Sequence, residues 1–292
     1  MSNNQFPLVS VLMTAYNREQ FITEAIESVL ASTYSNFELI ITDDCSSDKT
    51  LEIAREFEKM DSRVKVYKNS NNLKDYPNRN KAAQYAQGKY IKYLDSDDLI
   101  YPDGLEYCIA AMEQFPSAGI GMLFFQKDYS NGSVVCWDSE KIIQHHFFVE
   151  GCLNIGPSGC IIRRDVFEKF LGFDPRFGVA SDNFFNIRLA AEYPVVLMPK
   201  EFFFYRVHDG QEIKDKRGYL QNNYLYLKEL LNNVTLPLSE KQILQLHKRV
   251  DKSFSKDLIR YFIQSGSFGS IKEVMRVTRF GLKDIVKSLL TR

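Results

Sequence analysis

No apolar run in the chain approaches the roughly 20 residues that a membrane-spanning helix needs. The segment Met1–Pro7 has no basic stretch leading into an apolar core, so a secretory leader is not expected. Cysteine is sparse. Cys45, Cys108, Cys136, Cys152 and Cys160 are odd in number and no pair has CxxC spacing, which argues against a disulfide framework or a structural zinc site. A reducing compartment, the cytoplasm, fits this usage, with peripheral contact on the inner face of the cell membrane left open. There is no excess of charge of either sign: 37 Lys and Arg balance 37 Asp and Glu, and nucleic acid is not an expected partner. The first strand-to-helix turn, Thr14-Ala15-Tyr16-Asn17-Arg18, holds no glycine. That excludes the glycine-rich phosphate loops of dinucleotide-binding and P-loop enzymes. A metal site at His145-His146 is disfavoured too, because no third ligand lies nearby.

What is present is an ordinary globular composition in 292 residues, enough for one large α/β domain with an appendage. Short β-rich runs at Val9–Met13, Phe37–Thr42, Val64–Tyr67 and Tyr90–Leu94 alternate with helical apolar spacing. One such stripe is Phe21, Ile22, Ala25, Ile26, Val29 and Leu30; another is Leu51, Ala54 and Phe57, with Ser47 or Asp48 as its cap. A third helix is expected at 80–87, with Gly88 closing it. Such alternation implies a mostly parallel, Rossmann-like sheet flanked by helices. Beyond about residue 120 the pattern loosens: strands are expected at 119–125, 160–162, 195–198 and 202–207, and a helix at 181–193. From Gly218 onward the pattern is helical only. The division expected is a catalytic domain over 1–214, with halves at about 7–120 and 121–214, and a helical extension over 215–292.

In open parallel sheets ligands gather beyond the carboxyl ends of the strands. That edge holds Tyr16, Asp43-Asp44 and Asp95-Ser96-Asp97-Asp98. Each acidic pair alone reads as easily as a solvated turn. Two clusters on one edge would repel each other, and an anionic ligand, unless a hard cation such as Mg²⁺ or Mn²⁺ stands between. The remaining candidates have plainer readings. Trp137, Tyr76, Phe177, Phe184 and Phe185 are expected mostly as core in a chain that is 13% aromatic, and Arg163-Arg164 as a surface strand end.

In order along the chain stand Val9-Ser10-Val11 to Tyr16-Asn17, Ile41-Thr42-Asp43-Asp44, Arg79-Asn80, and Tyr93-Leu94-Asp95-Ser96-Asp97-Asp98. Ile161-Ile162-Arg163-Arg164, Gly172-Phe173-Asp174, Ser181-Asp182 and Tyr205-Arg206-Val207-His208 follow. Together, over about residues 7–210, they resemble glycosyltransferase family 2, which has the GT-A fold. The resemblance implies an inverting hexosyl- or N-acetylhexosaminyltransferase that uses a nucleotide-sugar donor and Mn²⁺ or Mg²⁺. It implies Asp97 as metal ligand, joined by His208; Asp95 and Ser96 at the donor; Asp43 as acceptor of a uracil or thymine imide; Thr14, Ala15, Tyr16 and Asn17 lining the base pocket; Arg79 at the nucleotide sugar; and Asp182 as catalytic base. Two positions depart from the family pattern: Ser181 stands where Glu is usual, and Cys45 where Gly is frequent.

The physical chemistry of these roles is coherent. A nucleoside diphosphate leaves readily once a cation offsets its developing charge, and a hydroxyl attacks once a base takes its proton. Asp182 opens a helix whose N-terminus is expected to favour its ionised form, after a loop in which Gly178 is expected to allow close approach of substrate. The competing use of Ser181 or Asp182 is a simple helix cap. The imide acceptor points to a UDP-sugar, and fold analogy points to a saccharide or lipid-linked saccharide acceptor in bacterial surface polysaccharide assembly. Two alternatives stand beside this: a sugar-phosphate nucleotidyltransferase, which needs a basic glycine-rich loop the chain lacks, and a non-catalytic nucleotide-sugar-binding subunit. Finally, residues 241–292 carry 12 Lys and Arg against 4 Asp and Glu. Apolar Ile271, Val274, Met275, Phe280, Leu282, Ile285, Val286, Leu289 and Leu290 interleave with basic residues there, as in an interfacial membrane helix or in one that packs on the catalytic domain.

Overall fold

The structure is a computed structural model, and it describes residues 6–124, 132–208 and 216–290. The expected βα alternation is present. β1 (Val9–Ala15), α1 (Ile22–Leu30), β2 (Phe37–Asp43), α2 (Thr50–Met60), β3 (Val64–Lys68), α3 (Asp75–Ala83) and β4 (Tyr90–Tyr93) follow one another. β1 pairs in parallel with both β2 and β4, and β2 in parallel with β3. Next come β5 (Leu99–Ile100), α4 (Gly104–Gln114), β6 (Ile120–Leu123), β7 (Val135–Trp137), α5 (Ser139–Phe148), β8 (Cys160–Arg163) and α6 (Arg164–Lys169). The half closes with α7 (Ser181–Ala190), β9 (Val195–Met198) and β10 (Phe203–Phe204). One eight-stranded sheet results, in the order β3-β2-β1-β4-β8-β6-β9-β7, and a small β10-β5 ribbon stands apart. β8 runs antiparallel to both its neighbours, so it joins the parallel nucleotide half to the second half.

Period-two alternation along the strands fills both faces. Val9, Val11 and Met13 of β1 belong to the core beneath α1, α2 and α4, whereas Leu12 belongs to the opposite core. That second core is continuous from the sheet through α5, α6 and α7 into α8 (Lys216–Asn233) and α9 (Glu240–Ser265). It reaches α10 (Phe268–Thr278) through Val274, and α11 (Leu282–Leu290) packs on α9. The boundary expected between residues 214 and 215 lies outside the described residues.

Several expectations shift. The third helix spans Asp75–Ala83, not 80–87. Its inward face carries Asn78 and Arg79 as well as Tyr76 and Ala82, so apolar periodicity does not mark it. Gly88 does not cap it. An added Cβ there would come within 2.6 Å of the Ser10 backbone nitrogen, so Gly88 serves the close approach of this turn to β1. The strand expected over 202–207 contracts to Phe203–Phe204, and of that expected over 119–125, Phe125 lies outside the described residues. All five cysteines are free thiols. Among the described residues no helix is long and apolar enough to cross a membrane.

The two readings of the basic tail divide its residues between them. Val274 and Phe280 are buried, and Phe280 meets Tyr224 and Phe254 at ring centroid distances of 5.2 Å. Ser288 is bonded to Ser255 of α9 at 2.7 Å. Leu282, Val286 and Leu290 are exposed, at 71%, 58% and 78%. At 100° per residue these three and Leu289 form one stripe of α11, bordered by Lys283 and Lys287.

Candidate active site

β2, β1 and β4 are neighbours, so their carboxyl ends bring three loops together. In register, Ala15 at the end of β1 lies beside Asp43, and Leu12 beside Tyr93 just before Asp95. Ser96 Oγ donates to the Thr14 carbonyl at 2.8 Å and locks the β4 loop to β1. The loops surround a cavity of about 430 Å³ whose wall includes Thr14, Ala15, Tyr16, Arg79, Asp95, Ser96, Asp97 and Asp182. The sheet thus brings eight of the expected site residues to one recess.

Three do not line it. His208 stands behind Asp97, with Nε2 2.9 Å from Asp97 Oδ2. Asn17 adopts φ +52 and accepts the Ser47 N–H on Oδ1 at 2.8 Å, so it ties the β1 and β2 loops together. Asp43 is sealed from solvent: Oδ1 accepts the Ser46 N–H at 3.2 Å, and buried Oδ2 has no hydrogen-bond partner. Asp44 holds the chain before α3, accepting from Leu73 N–H and Lys74 N–H at 2.8 and 2.9 Å. Cys45 has φ +66, a left-handed backbone that glycine adopts more readily.

The site carries compensating cations, of which the sequence singled out Arg79 but not Arg18 or Lys92. Arg18 Nε donates to Asp97 Oδ2 at 3.0 Å. Buried Arg79 bridges Asp75 and Asp95, at 2.7 Å to each. Burial disfavours its charge, but the two carboxylates hold its pKa well above the ordinary guanidinium value. Lys92, wholly buried in β4, donates to the carbonyls of Tyr93 and Ser158 at 2.7 and 2.5 Å, and burial lowers its pKa. Through Ser158, whose Oγ accepts the Asp95 N–H at 3.0 Å, it fixes the acidic turn. The one signal in the sequence was a lysine at an interior strand position.

Asp95, Asp97 and Asp98 each offer an oxygen within 4.8 Å of the others. Asp98 accepts the Arg206 N–H at 3.0 Å, and burial together with Asp95 lifts its pKa to about 7. Crowded oxygen donors of this kind suit a hard divalent cation, which would offset their mutual repulsion.

Asp182 lies in the first turn of α7, but neither it nor Ser181 caps the helix. The N-cap is Ala180, and Ser181 Oγ donates to the carbonyls of Asp174 and Gly178. Asp182 Oδ1 accepts the Asn183 N–H at 2.7 Å, and the buried Tyr76 hydroxyl hydrogen-bonds the same carboxyl group. The expected dominance of the helix N-terminus does not hold. Burial raises the Asp182 pKa to about 6, outweighing the Asn183 and Tyr76 hydrogen bonds and the Arg79 charge. Gly178 has φ +47, but its missing side chain makes room for α8: a Cβ there would stand 2.6 Å from Asn222 Nδ2. It does not open toward substrate as expected. His146, by contrast, is structural. Its Nδ1 accepts the Leu153 N–H at 3.1 Å, and burial lowers its pKa to about 4.

The family model for glycosyl transferase family 2 matches residues 10–171. The chain belongs to this family. An uncharacterized glycosyltransferase of Methanocaldococcus jannaschii is 32% identical over 246 residues, 78% of this chain and 83% of that one. The Escherichia coli UDP-Glc:alpha-D-GlcNAc-diphosphoundecaprenol beta-1,3-glucosyltransferase WfgD is 44% identical over 105 residues, 36% of this chain and 41% of that one. The match likewise spans less than half the length of two Bacillus subtilis relatives, at 46% and 41%. Among solved structures, Staphylococcus aureus TarS in complex with UDP-GlcNAc superposes with TM-score 0.72 at 19% identity, over 96% of this chain and 81% of that one. The Pyrobaculum calidifontis mannosyltransferase PcManGT with GDP-Man and Mn²⁺ gives 0.67 at 14%, over 98% and 88%. The fold is therefore GT-A: an α/β sheet flanked by helices, with a helical C-terminal part.

Arg79→Ala would strand Asp75 and Asp95 without their partner. Arg79 is buried, but the Asp75 and Asp95 side chains are 27% and 29% exposed. Urea unfolding at neutral pH is therefore expected to show a loss between about 1 kcal/mol, as for an exposed pair, and about 3–5 kcal/mol, as for a fully buried one. A loss below about 1 kcal/mol, the level of an exposed pair, would contradict the buried triad.

Proposed function

We propose that this family member transfers a sugar, with inversion, from a uridine diphosphate sugar to the hydroxyl of a saccharide or lipid-linked saccharide acceptor. The observation that carries this is the shared cavity: Asp182, a partly desolvated carboxylate poised near neutral pKa, faces the same recess as the Asp95–Asp97 cluster. A base on one side of a sugar and a nucleotide-diphosphate site on the other suit in-line displacement. Asp182 takes the proton of the acceptor hydroxyl, and Tyr76 and the Asn183 N–H orient its carboxylate. Asp97, with Asp95 and Asp98, would hold Mn²⁺ or Mg²⁺, with His208 beside Asp97. When bound, such a cation offsets the negative charge of the leaving diphosphate. Mn²⁺ beside GDP-Man in PcManGT supports this reading.

The uridine preference rests on the relatives and not on Asp43, which is sealed away from the recess and is not placed to meet an imide there. UDP-GlcNAc in TarS and the UDP-Glc donor in the name of WfgD support it. Thr14, Ala15 and Tyr16 would flank the base, and Asn17 holds their loop. The diphosphoundecaprenol in the WfgD name supports a lipid-linked acceptor and a place in surface polysaccharide assembly. Such an acceptor fits contact between the α11 stripe, with Lys283 and Lys287, and an anionic bilayer.

Three outcomes are expected. First, Asp182→Asn lowers turnover of the UDP-sugar, read as UDP release, by about 10²–10⁴-fold. Turnover of the unaltered protein rises with pH through an acid limb near 6, as the base ionises. The variant does not melt lower at pH 7: a carboxyl whose folded pKa is raised destabilises the fold when ionised, above that pKa, and Asn removes the charge. Turnover within a few-fold of wild type would eliminate the base. Second, calorimetry with Mn²⁺ finds UDP bound more tightly than GDP or CMP, and EDTA or Asp97→Asn weakens that binding. Preference for GDP overturns the donor reading, and indifference to EDTA overturns the metal. Third, the full chain floats with anionic liposomes, and Leu282→Ser/Val286→Ser does not; equal flotation of the two removes the membrane contact.

A further inference from the structure

Asp97 Oδ2 meets two donors at once. Arg18 Nε reaches it at 3.0 Å, and His208 Nε2 lies 2.9 Å from the same oxygen. Each oxygen of an ionised carboxylate offers about two lone pairs, so this one is fully engaged. Asp97 is also a member of the acidic cluster with Asp95 and Asp98. A divalent cation at Oδ2 and the guanidinium already on it compete, since both are positive and seek the same lone pairs. Of the two donors, Arg18 is the one whose charge no ordinary pH removes.

The backbone of Arg18 is anchored, whereas its side chain is held more lightly. Its N–H donates at 2.7 Å to Oγ1 of Thr50, the residue that opens α2. The side chain is 26% exposed, and its Nη1 contacts are long, 3.2 Å to each of the Tyr16 and Asn17 carbonyls. It lines the recess at the acidic cluster. Among the described residues that wall holds five carboxylates, of Asp44, Asp75, Asp95, Asp97 and Asp182, against three cations, Arg18, Lys74 and Arg79. Arg79 is clamped between two acids, and Lys74 is exposed just before α3. Arg18 is paired with Asp97 alone. A diphosphate entering so acidic a recess needs a positive partner, and a planar guanidinium grips phosphate oxygens two at a time.

We propose that Arg18 serves two anions in turn: it balances Asp97 until a divalent cation takes that carboxylate, and it then turns its guanidinium to the diphosphate of the donor. This rests on the reading of the recess as a site for a cation and a nucleotide sugar. Arg18 therefore opposes the cation by itself and favours the cation together with the nucleotide. The two ligands help each other to bind through one side chain, and by linkage the help is reciprocal.

The test compares the full wild-type chain with Arg18→Met and Arg18→Gln, so that misfolding of one variant leaves the other. Binding of Mn²⁺ alone is read from the electron paramagnetic resonance of the free ion, and binding of UDP in saturating Mn²⁺ by calorimetry. Opposite signs are expected. Mn²⁺ alone binds each folded variant about fivefold more tightly, the scale of a partly exposed ion pair that no longer competes. UDP binds about tenfold more weakly, the scale of one lost charge-assisted hydrogen bond. A variant that merely loosened the acidic turn would weaken both ligands together. Mn²⁺ affinity unchanged or weaker in the folded variants overturns the exchange, because Arg18 would then support Asp97 with the cation in place. Unchanged UDP affinity overturns it also, because the guanidinium would then not serve the diphosphate. Absence of Mn²⁺ or UDP binding in all three proteins defeats the reading of the recess and the exchange together, whereas binding of both without the opposite signs defeats the exchange alone.

Discussion

Arg79 reaches Asp75 with one guanidinium nitrogen and Asp95 with another, and much of the architecture follows from the need it meets. The carboxyl edge of the sheet gathers Asp44, Asp75, Asp95, Asp97 and Asp182 around one cavity, with Asp98 beside Asp95 and Asp97. So many carboxylates at low dielectric repel one another and resist ionisation, which is what the raised pKa values of Asp98 and Asp182 express. The fold answers with cations: Arg79 between two acids, Arg18 on Asp97, and Lys92 buried beneath the turn. α3 turns Arg79 inward at the expense of apolar periodicity. The crowded oxygens of Asp95, Asp97 and Asp98 are where a divalent cation would fit.

The second constraint is steric. The 3₁₀ turn Pro175–Ala180 leads directly into Asp182, and α8 packs on that turn: a Cβ at Gly178, whose φ is +47, would fall 2.6 Å from Asn222 Nδ2. The position of the proposed base is therefore coupled to the C-terminal helices, which share the core of the second half of the sheet. Those helices are not a detachable appendage. They brace the turn before Asp182.

Much of this was readable beforehand. The alternation of β and α periods over residues 9–98 placed three acidic or polar loops on one edge, because parallel βαβ units leave all strand ends on the same side. Asp95, Asp97 and Asp182 were legible from their places at strand and helix ends, in register with a family pattern. Arg18 and Lys92 were not, because a single cation in a loop or a strand carries no period. Asp75 was not, because an acidic residue beside a helix start is common without function. The α3 boundaries were misplaced for the reason that its buried face is polar.

The C-terminal segment shows the division most plainly. Its sequence alone determined that it is helical, basic and amphipathic, since spacing and charge are properties of the chain. Only tertiary packing decided that Val274 and Phe280 close a core with Tyr224 and Phe254, while Leu282, Val286 and Leu290 face outward. Likewise the chain determined that Asp182 begins a helix, and only the packed structure decided its protonation. The helix N-terminus is a local effect that favours the charge. Burial comes from the packing of the whole structure around Asp182, and the desolvation it imposes is the larger effect.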